Sequence, residues 1–404
     1  MTLITPDMYI KEILSRIPGA AQVFIANGFD DFADNDTLVQ LAPFLRLKTA
    51  LNSRNINIDM FVKLLKEKAE DTKEYNINLS AFSQEHPLNL LALLPCPLKL
   101  PLQDAFENFI GNSAKDKNIK LDCLIEGNAN NQLSYYGYVD QFEDIGDIPD
   151  IVISPGVNSF FHRRFIEKFI DKGYFIDAAG YIPETRLMET GIKDPGGNYT
   201  VIAMNLLVMV ADNEKMDNLD IPRRWGDLLE PCFEKQVAIR GHADFFCETT
   251  LLTIYKAYGF EGIRRLAKSV RYGWHPAQMA KTAGGGTPEA PAISVMPYFY
   301  TKTIKHKDKV TVIWPEDGAI ISPVTMLVKA TDSQNLRSIA AFFTGDKAGK
   351  ICAGACFPSM HPGVDNKLPA EASFNWVGWD FIKNNDIGSL INDLNREFLS
   401  VFKS

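Results

Sequence analysis

The residues able to do chemistry in this chain cluster in four short stretches, each where an apolar run ends and a helix-like pattern begins. Pro95-Cys96-Pro97-Leu98-Lys99 follows the apolar run Leu88–Leu94. Its prolines stiffen the turn, Lys99 offers charge to an anion, and Cys96 is either a ligand contact or a small apolar residue in a tight bend. Ser154-Pro155-Gly156-Val157-Asn158-Ser159 follows Ile148–Ile153. Ser154, Ser159 and the backbone N–H groups around Gly156 suit a carboxylate, phosphate or sulfate, and the same residue types cap ordinary helices. Arg240-Gly241-His242-Ala243-Asp244 precedes a helix carrying Thr249 and Thr250. Gly241 permits close backbone approach, while His242 and Asp244 suit a metal, a polar ligand or a plain surface turn. The fourth stretch pairs the glycines Gly284, Gly285 and Gly286 with the strand-end aromatics Tyr298 and Tyr300. No lysine follows these glycines where a nucleotide-binding loop needs one, so they make a flexible loop or a close approach. Glu316 and Asp317, just before Gly318, offer carboxylates to an ammonium or metal, or charge a turn.

Two cysteine arrangements raise other chemistry. Cys352 and Cys356 have the spacing that places two thiols on one helical face, for a redox pair or a metal, or simply for close packing. Cys96 follows a strand, where a nucleophile would sit, with Asp244 or Glu316 as the base of an alternative cysteine enzyme. The main reading needs no catalytic residue, bound metal or cofactor.

The elements positioning these residues alternate between strand and helix patterns. Leu88–Leu94, Ile119–Ile125 and Ile148–Ile153 read as buried parallel strands, and Phe106–Phe109 begins a helix. Phe160–Lys172 reads as a helix, Tyr199–Val210 as a long strand, Glu248–Tyr258 as a helix and Ile293–Tyr298 as a strand. This order predicts an α/β fold with a mostly parallel sheet, whose ligands bind beyond the carboxyl ends of the strands. Ahead of it, Thr5 and Pro6 start a helical pattern through Ile10, Ile13, Leu14 and Ile17, and Pro18-Gly19 breaks it. Ala20–Ala26, Leu38–Leu51 and Ile58–Lys68 continue as helices, with Asn27-Gly28 a left-handed stop.

Composition excludes several classes of function. The 404 residues, 46% of them hydrophobic, can bury more than one core. A net charge of −8 argues against nucleic acid or an anionic membrane as partner. No apolar run approaches the roughly 18–20 residues that span a bilayer. The start Met1-Thr2-Leu3-Ile4-Thr5-Pro6-Asp7 lacks the basic-then-apolar pattern of an export signal. The expected location is cytoplasmic, the alternative periplasmic or cell-surface if a signal has been removed.

Val310–Gly318, the strand-like Ile320–Ser322 and Thr325–Ala330, the helix Leu336–Phe343 and Ala355–Ser359 come in an order that resembles bacterial extracellular solute-binding proteins of ABC importers. Within that family they are most similar to the type II binders of iron, polyamines and phosphosugars. Trp225-Gly226-Asp227-Leu228-Leu229 through Ile239 resembles the family's entry into its second lobe. The likeness covers about residues 86–404. It implies two lobes, 87–203 with 313–404 and 204–312, crossed near Val201–Val210 and Val312–Gly318. Ferric binders of this group hold iron with adjacent tyrosines; the pair Tyr135-Tyr136 stands in the first lobe's middle instead. Ile13, Leu14, Pro18, Ala20, Val23, Phe24, Gly28 and Phe29 resemble the helical front domain of iron–sulfur-centre repair proteins, without its cysteines. Residues 1–70 are therefore expected to form a docking or dimerising module, joined by a linker over 71–86.

The resulting expectation is a non-catalytic protein that captures a small polar or anionic solute, or a metal, by hinge closure. It would act as a cytoplasmic sensor or delivery protein. Its partners would be the solute, an ABC transporter permease, or a cytoplasmic protein reached through residues 1–70.

Overall fold

A computed structural model describes residues 4–71, 88–113, 121–127, 135–183, 185–216, 219–242 and 244–403. From Thr72 onward, the expected linker lies outside the described residues. The strands are β1 (Leu88–Leu94), β2 (Leu121–Gly127), β3 (Ile151–Pro155), β4 (Phe175–Ile176), β5 (Thr200–Asp212) and β6 (Val237–His242). They continue as β7 (Phe245–Phe246), β8 (Val270–Trp274), β9 (Ile293–Pro297), β10 (Val310–Ile313), β11 (Ala319–Lys329) and β12 (Phe374–Asn375). The chain is mixed α/β and groups into two compact units: residues 1–154 with 164–176 and 327–340, and residues 155–163 with 177–326 and 341–404. This grouping is by packing.

The first unit opens with helices Ile10–Arg16, Ala20–Ala26, Asn35–Leu41, Leu47–Ser53 and Ile58–Asp71. Their shared core is aromatic. Phe24 lies 5.4 Å from Phe29, 5.6 Å from Phe32 and 5.0 Å from Phe61, ring centre to ring centre. Such offset and edge-on pairs add to simple area burial. Gly28 takes the expected left-handed conformation (φ 91°) that ends the second helix. Two expectations are corrected. The first helix begins at Ile10, not Pro6, because the Met8 and Pro6 carbonyls accept from Leu47 and Lys48 N–H and draw that stretch into a turn. Leu38–Leu51 is two helices, because Pro43 cannot continue one.

The same unit holds a parallel trio: β1 pairs with β2 (Leu88 opposite Leu121) and with β3 (Leu90 opposite Ile151). Six consecutive residues of β1, Asn89 to Leu94, are buried, as expected of a strand covered on both faces. The helix after β1 runs Cys96–Ser113, ten residues earlier than the aromatic signal at Phe106 suggested. Pro101 lies inside it, in the second turn, where the helix forgoes the bond that an N–H at this position would make to the Pro97 carbonyl. The expected helix Phe160–Lys172 is a series of short turns, 159–161, 163–165 and a π-type turn 166–170.

In the second unit, the buried strand β5 pairs antiparallel with β11, β9 and β10. Strand β6 runs parallel to β9 and β8 and folds back on β7. Val210, Ala238, Met279, Ala280, Met296 and Ile304 pack together beside this sheet. The helix Glu248–Ser269 breaks at Gly259, whose φ of 61° no helix interior adopts.

Candidate functional site

In the second unit the parallel strands β6, β8 and β9 end side by side, with Arg240 opposite Trp274 in register. The charge at this edge is Arg240. It lies close enough to the Glu248 carboxyl and the His275 ring to perturb both. Desolvation raises the Glu248 pKa, with Arg240 and then His162 opposing it. Desolvation followed by Arg240 lowers that of His275, so this ring favours its neutral form. His275 Nδ1 accepts from Ala277 N–H (3.2 Å) and starts the helix Pro276–Thr282.

Glu248 opens the helix Glu248–Ser269, whose capping residue Cys247 supplies no side-chain acceptor. A helix start without such a cap leaves backbone N–H groups for another acceptor. Three hydroxyls accompany it. Thr249 and Ser322 are only 4% and 9% exposed, and neither hydroxyl has a hydrogen-bond partner among the described residues. The Thr250 hydroxyl is fully buried and equally unpartnered. Gly156 brings two of these together. Its N–H donates to Pro323 O (2.7 Å), and a Cβ there would stand 3.5 Å from Ser322 Oγ and 4.0 Å from Thr249 Oγ1. With φ at 77°, position 156 favours glycine, and its bare face is flanked by both hydroxyls. Unpaired buried hydroxyls are costly unless something bonds to them.

Of the residues singled out by sequence, Gly156, Thr249 and Arg240 therefore belong to one unit and one neighbourhood, while Ser154 falls in the first unit. Ser159 opens a short turn capped by Asn158, whose Oδ1 accepts from Phe160 N–H at 3.0 Å.

Others have structural occupations. Lys99 is ion-paired with Glu126, and Cys96, first residue of the helix after Pro95, has its sulfur 3.5 Å from where a Cβ on Gly127 would stand. Gly241 is explained by packing, since a Cβ there would collide with the Phe246 ring. His242 is exposed, and Asp244 pairs with Lys403 at 3.2 Å. The triple-glycine loop wraps on its own chain: Gly284 N–H donates to Asp212 Oδ2 (2.9 Å), and Gly286 lies beside Glu214. Tyr298 is engaged by Lys302, whose ammonium donates to its hydroxyl (2.7 Å), and by Trp314 edge-on at 5.4 Å. Glu316 pairs with Arg224 (3.1 Å), Asp317 accepts from Trp225 N–H, and Trp225 Nε1 donates to Gly318 O (2.8 Å).

Cys352 and Cys356 do not share a helical face: the helix ends at Gly354, and Cys356 turns left-handed at φ 60°. Burial pushes the Cys352 thiol up to about 12, making it inert at neutral pH. Among the described residues no group of three or more His, Cys, Asp or Glu is gathered to hold a metal. A small surface cleft is lined by Asp177, Tyr181, Lys193, Val201 and Met360 among others, and none of the sequence-predicted site residues lines it.

Ser322, Glu248, Trp274 and His275 were missed in the sequence. Ser322 had a signal, a hydroxyl inside a largely apolar strand. His275-Pro276 also had one, a helix start directly after a strand.

No curated protein matches this sequence. Residues 4–62 match the model of a domain of unknown function. Among solved structures, Bordetella ferric binding protein has 15% identity and a TM-score of 0.53, over 78% of this chain and 99% of that one. A Trichodesmium protein in complex with iron and citrate has 14% identity and a TM-score of 0.53, over 78% of this chain and 99% of that one. A periplasmic binding protein from Actinobacillus pleuropneumoniae with exogenous fructose-6-phosphate bound has 12% identity and a TM-score of 0.53, over 78% and 98%. At such identities the likeness is one of fold, the periplasmic-binding-protein-like fold. Residues 146–385, more than half of the sequence, match the family model of bacterial extracellular solute-binding proteins, and the chain belongs to that family of binding proteins rather than enzymes.

Proposed function

We propose that the protein captures a small polar or anionic solute through Gly156, Thr249, Ser322 and Arg240, and closes over it by hinge motion between lobes 87–203 with 313–404 and 204–312. The observation that carries this reading is the pair of nearly buried, unpartnered hydroxyls on either side of the bare Gly156 face. They adjoin a helix start whose cap is missing. Hydroxyls and free N–H groups of this kind complement the oxygens of a carboxylate, phosphate or sulfate, and Arg240 supplies the opposite charge. Ser154, Ser159 and Tyr298 would line the approach.

A ferric binding protein and the iron–citrate and fructose-6-phosphate complexes among similar folds make iron chelates and phosphosugars the first ligands to try. Thermal shift and calorimetry against oxyanions, iron citrate, phosphosugars, carboxylates and polyamines test the proposal. A true ligand at 100 times its Kd adds about 2.7 kcal/mol to stability. The reading fails if no member of the panel binds.

The partner of the loaded form would be an ABC transporter permease. The family description supports the periplasmic or cell-surface alternative over the cytoplasmic one. Fractionation of the native host distinguishes them, with recovery in the cytosol overturning an export-dependent role.

A further inference from the structure

We infer that the helical module of residues 4–71 has its docking partner within this same chain: it is a fixed cationic brace on the segment Tyr135–Asp150. The segment carries the need for it. Asp147 is wholly buried, its side chain 0% exposed, and its Oδ2 accepts from the N–H groups of Glu143 (2.8 Å) and Asp144 (3.0 Å). Those bonds satisfy one oxygen and shape the turn. The only cations within ion-pair distance of the other, among the described residues, come from the module: Arg46 Nη1 at 3.6 Å and Lys48 Nζ at 3.5 Å. A buried carboxylate stripped of its cations is strongly unfavourable. The segment is therefore built to be covered.

The fit is specific as well as electrostatic. Arg46 reaches Asp144 at 3.3 Å, and Lys48 pairs with the same carboxylate. Gly146 has no side chain because the Arg46 guanidinium occupies that space; a Cβ there would overlap Nη2 and lie 2.8 Å from Cζ. Tyr9 adds a bond from its hydroxyl to Gly146 O (3.0 Å), and its ring lies 5.6 Å from the Arg46 guanidinium carbon. Lys11 pairs separately with Asp122, beyond the segment. The matched surfaces leave the module no freedom to exchange this partner for another protein on the same face.

The test uses the full chain with a protease site inserted between residues 72 and 87, cleaved after folding. The two fragments are expected to co-elute in size exclusion at micromolar concentration. Association should weaken at least tenfold in R46A/K48A, and also in G146L, which fills the guanidinium space. Val39→Ser, on an exposed module position, is the control that should leave it unchanged. If the double variant misfolds, salt titration of the cleaved native sequence serves instead, with release above about 1 M salt expected from screening. Fragments that separate without any substitution at low salt overturn the inference. So does an R46A/K48A pair as tightly associated as the parent.

Discussion

The Thr249 and Ser322 hydroxyls both lie beside Gly156 with no bond to anything described, and that is where the proposal is most exposed to test. Replacing both by Ala removes two hydroxyls that support nothing in the fold, so stability should hold within about 1 kcal/mol while solute affinity falls. Each lost hydrogen bond to a charged ligand is worth about 1.5–3 kcal/mol, or roughly tenfold or more in Kd. Denaturant titration and calorimetry on the same variant separate the two effects. Gly318 makes the opposite case. Its φ of 93° and the Asn375 nitrogen, 2.7 Å from where a Cβ would stand, predict that Gly318→Ala destabilises the second unit by about 1–3 kcal/mol without touching the hydroxyls. A fall in the chemical-denaturation midpoint checks it; an unchanged midpoint contradicts the packing argument. Glu248, in contrast, was not legible in the sequence, because its environment is set first by burial and then by Arg240 and His162, 8 and 86 residues before it.

At the scale of elements, the clasp between module and segment is the most conditional part of the first unit. The Asp144 carboxyl is desolvated, which by itself would raise its pKa, yet Lys48 and then Arg46 hold it below the usual carboxylate value. A lowered folded pKa contributes stability that is complete above the unfolded value and is lost as pH falls through the folded one. Acidification below about pH 4 should therefore loosen residues 4–71 from Tyr135–Asp150 as Asp144 protonates. Amide hydrogen exchange along Leu47–Ser53, compared at pH 6 and pH 3.5 after correction for intrinsic rates, reads this out; equal protection at both contradicts it. Regular elements were legible in the sequence wherever apolar periodicity was continuous, as in β1, β5 and Ile58–Asp71. Boundaries were misread where one residue type carried two messages. Pro95 and Pro97 suggested a rigid loop, but the helix starts at Cys96 and takes in Pro97, whereas Pro43 was passed over and does break one. Cys356 matched a helical spacing only until the left-handed turn after Gly354 took it off the helix. Two of the loops chosen for chemistry follow strands, at Pro95 and after Pro155, whereas Arg240-Gly241-His242 lie inside β6 and Gly284–Gly286 follow the helix Pro276–Thr282. What the sequence could not reveal is which of their side chains the fold had already paired, as with Lys99, Asp244 and Glu316.

For the molecule as a whole, family and fold agree on a solute-binding protein, and no described helix is long and apolar enough to cross a membrane. Hinge closure predicts a smaller radius of gyration with ligand than without, measurable by small-angle scattering, while a rigid receptor would show none. The most direct test of the central claim is calorimetric titration of the best ligand from the panel into the parent protein and into T249A/S322A. The account predicts saturable one-to-one binding to the parent and a Kd at least tenfold weaker in the variant, with the variant's unfolding midpoint unchanged. Equal affinity in both proteins would place the solute elsewhere and contradict the site around Gly156.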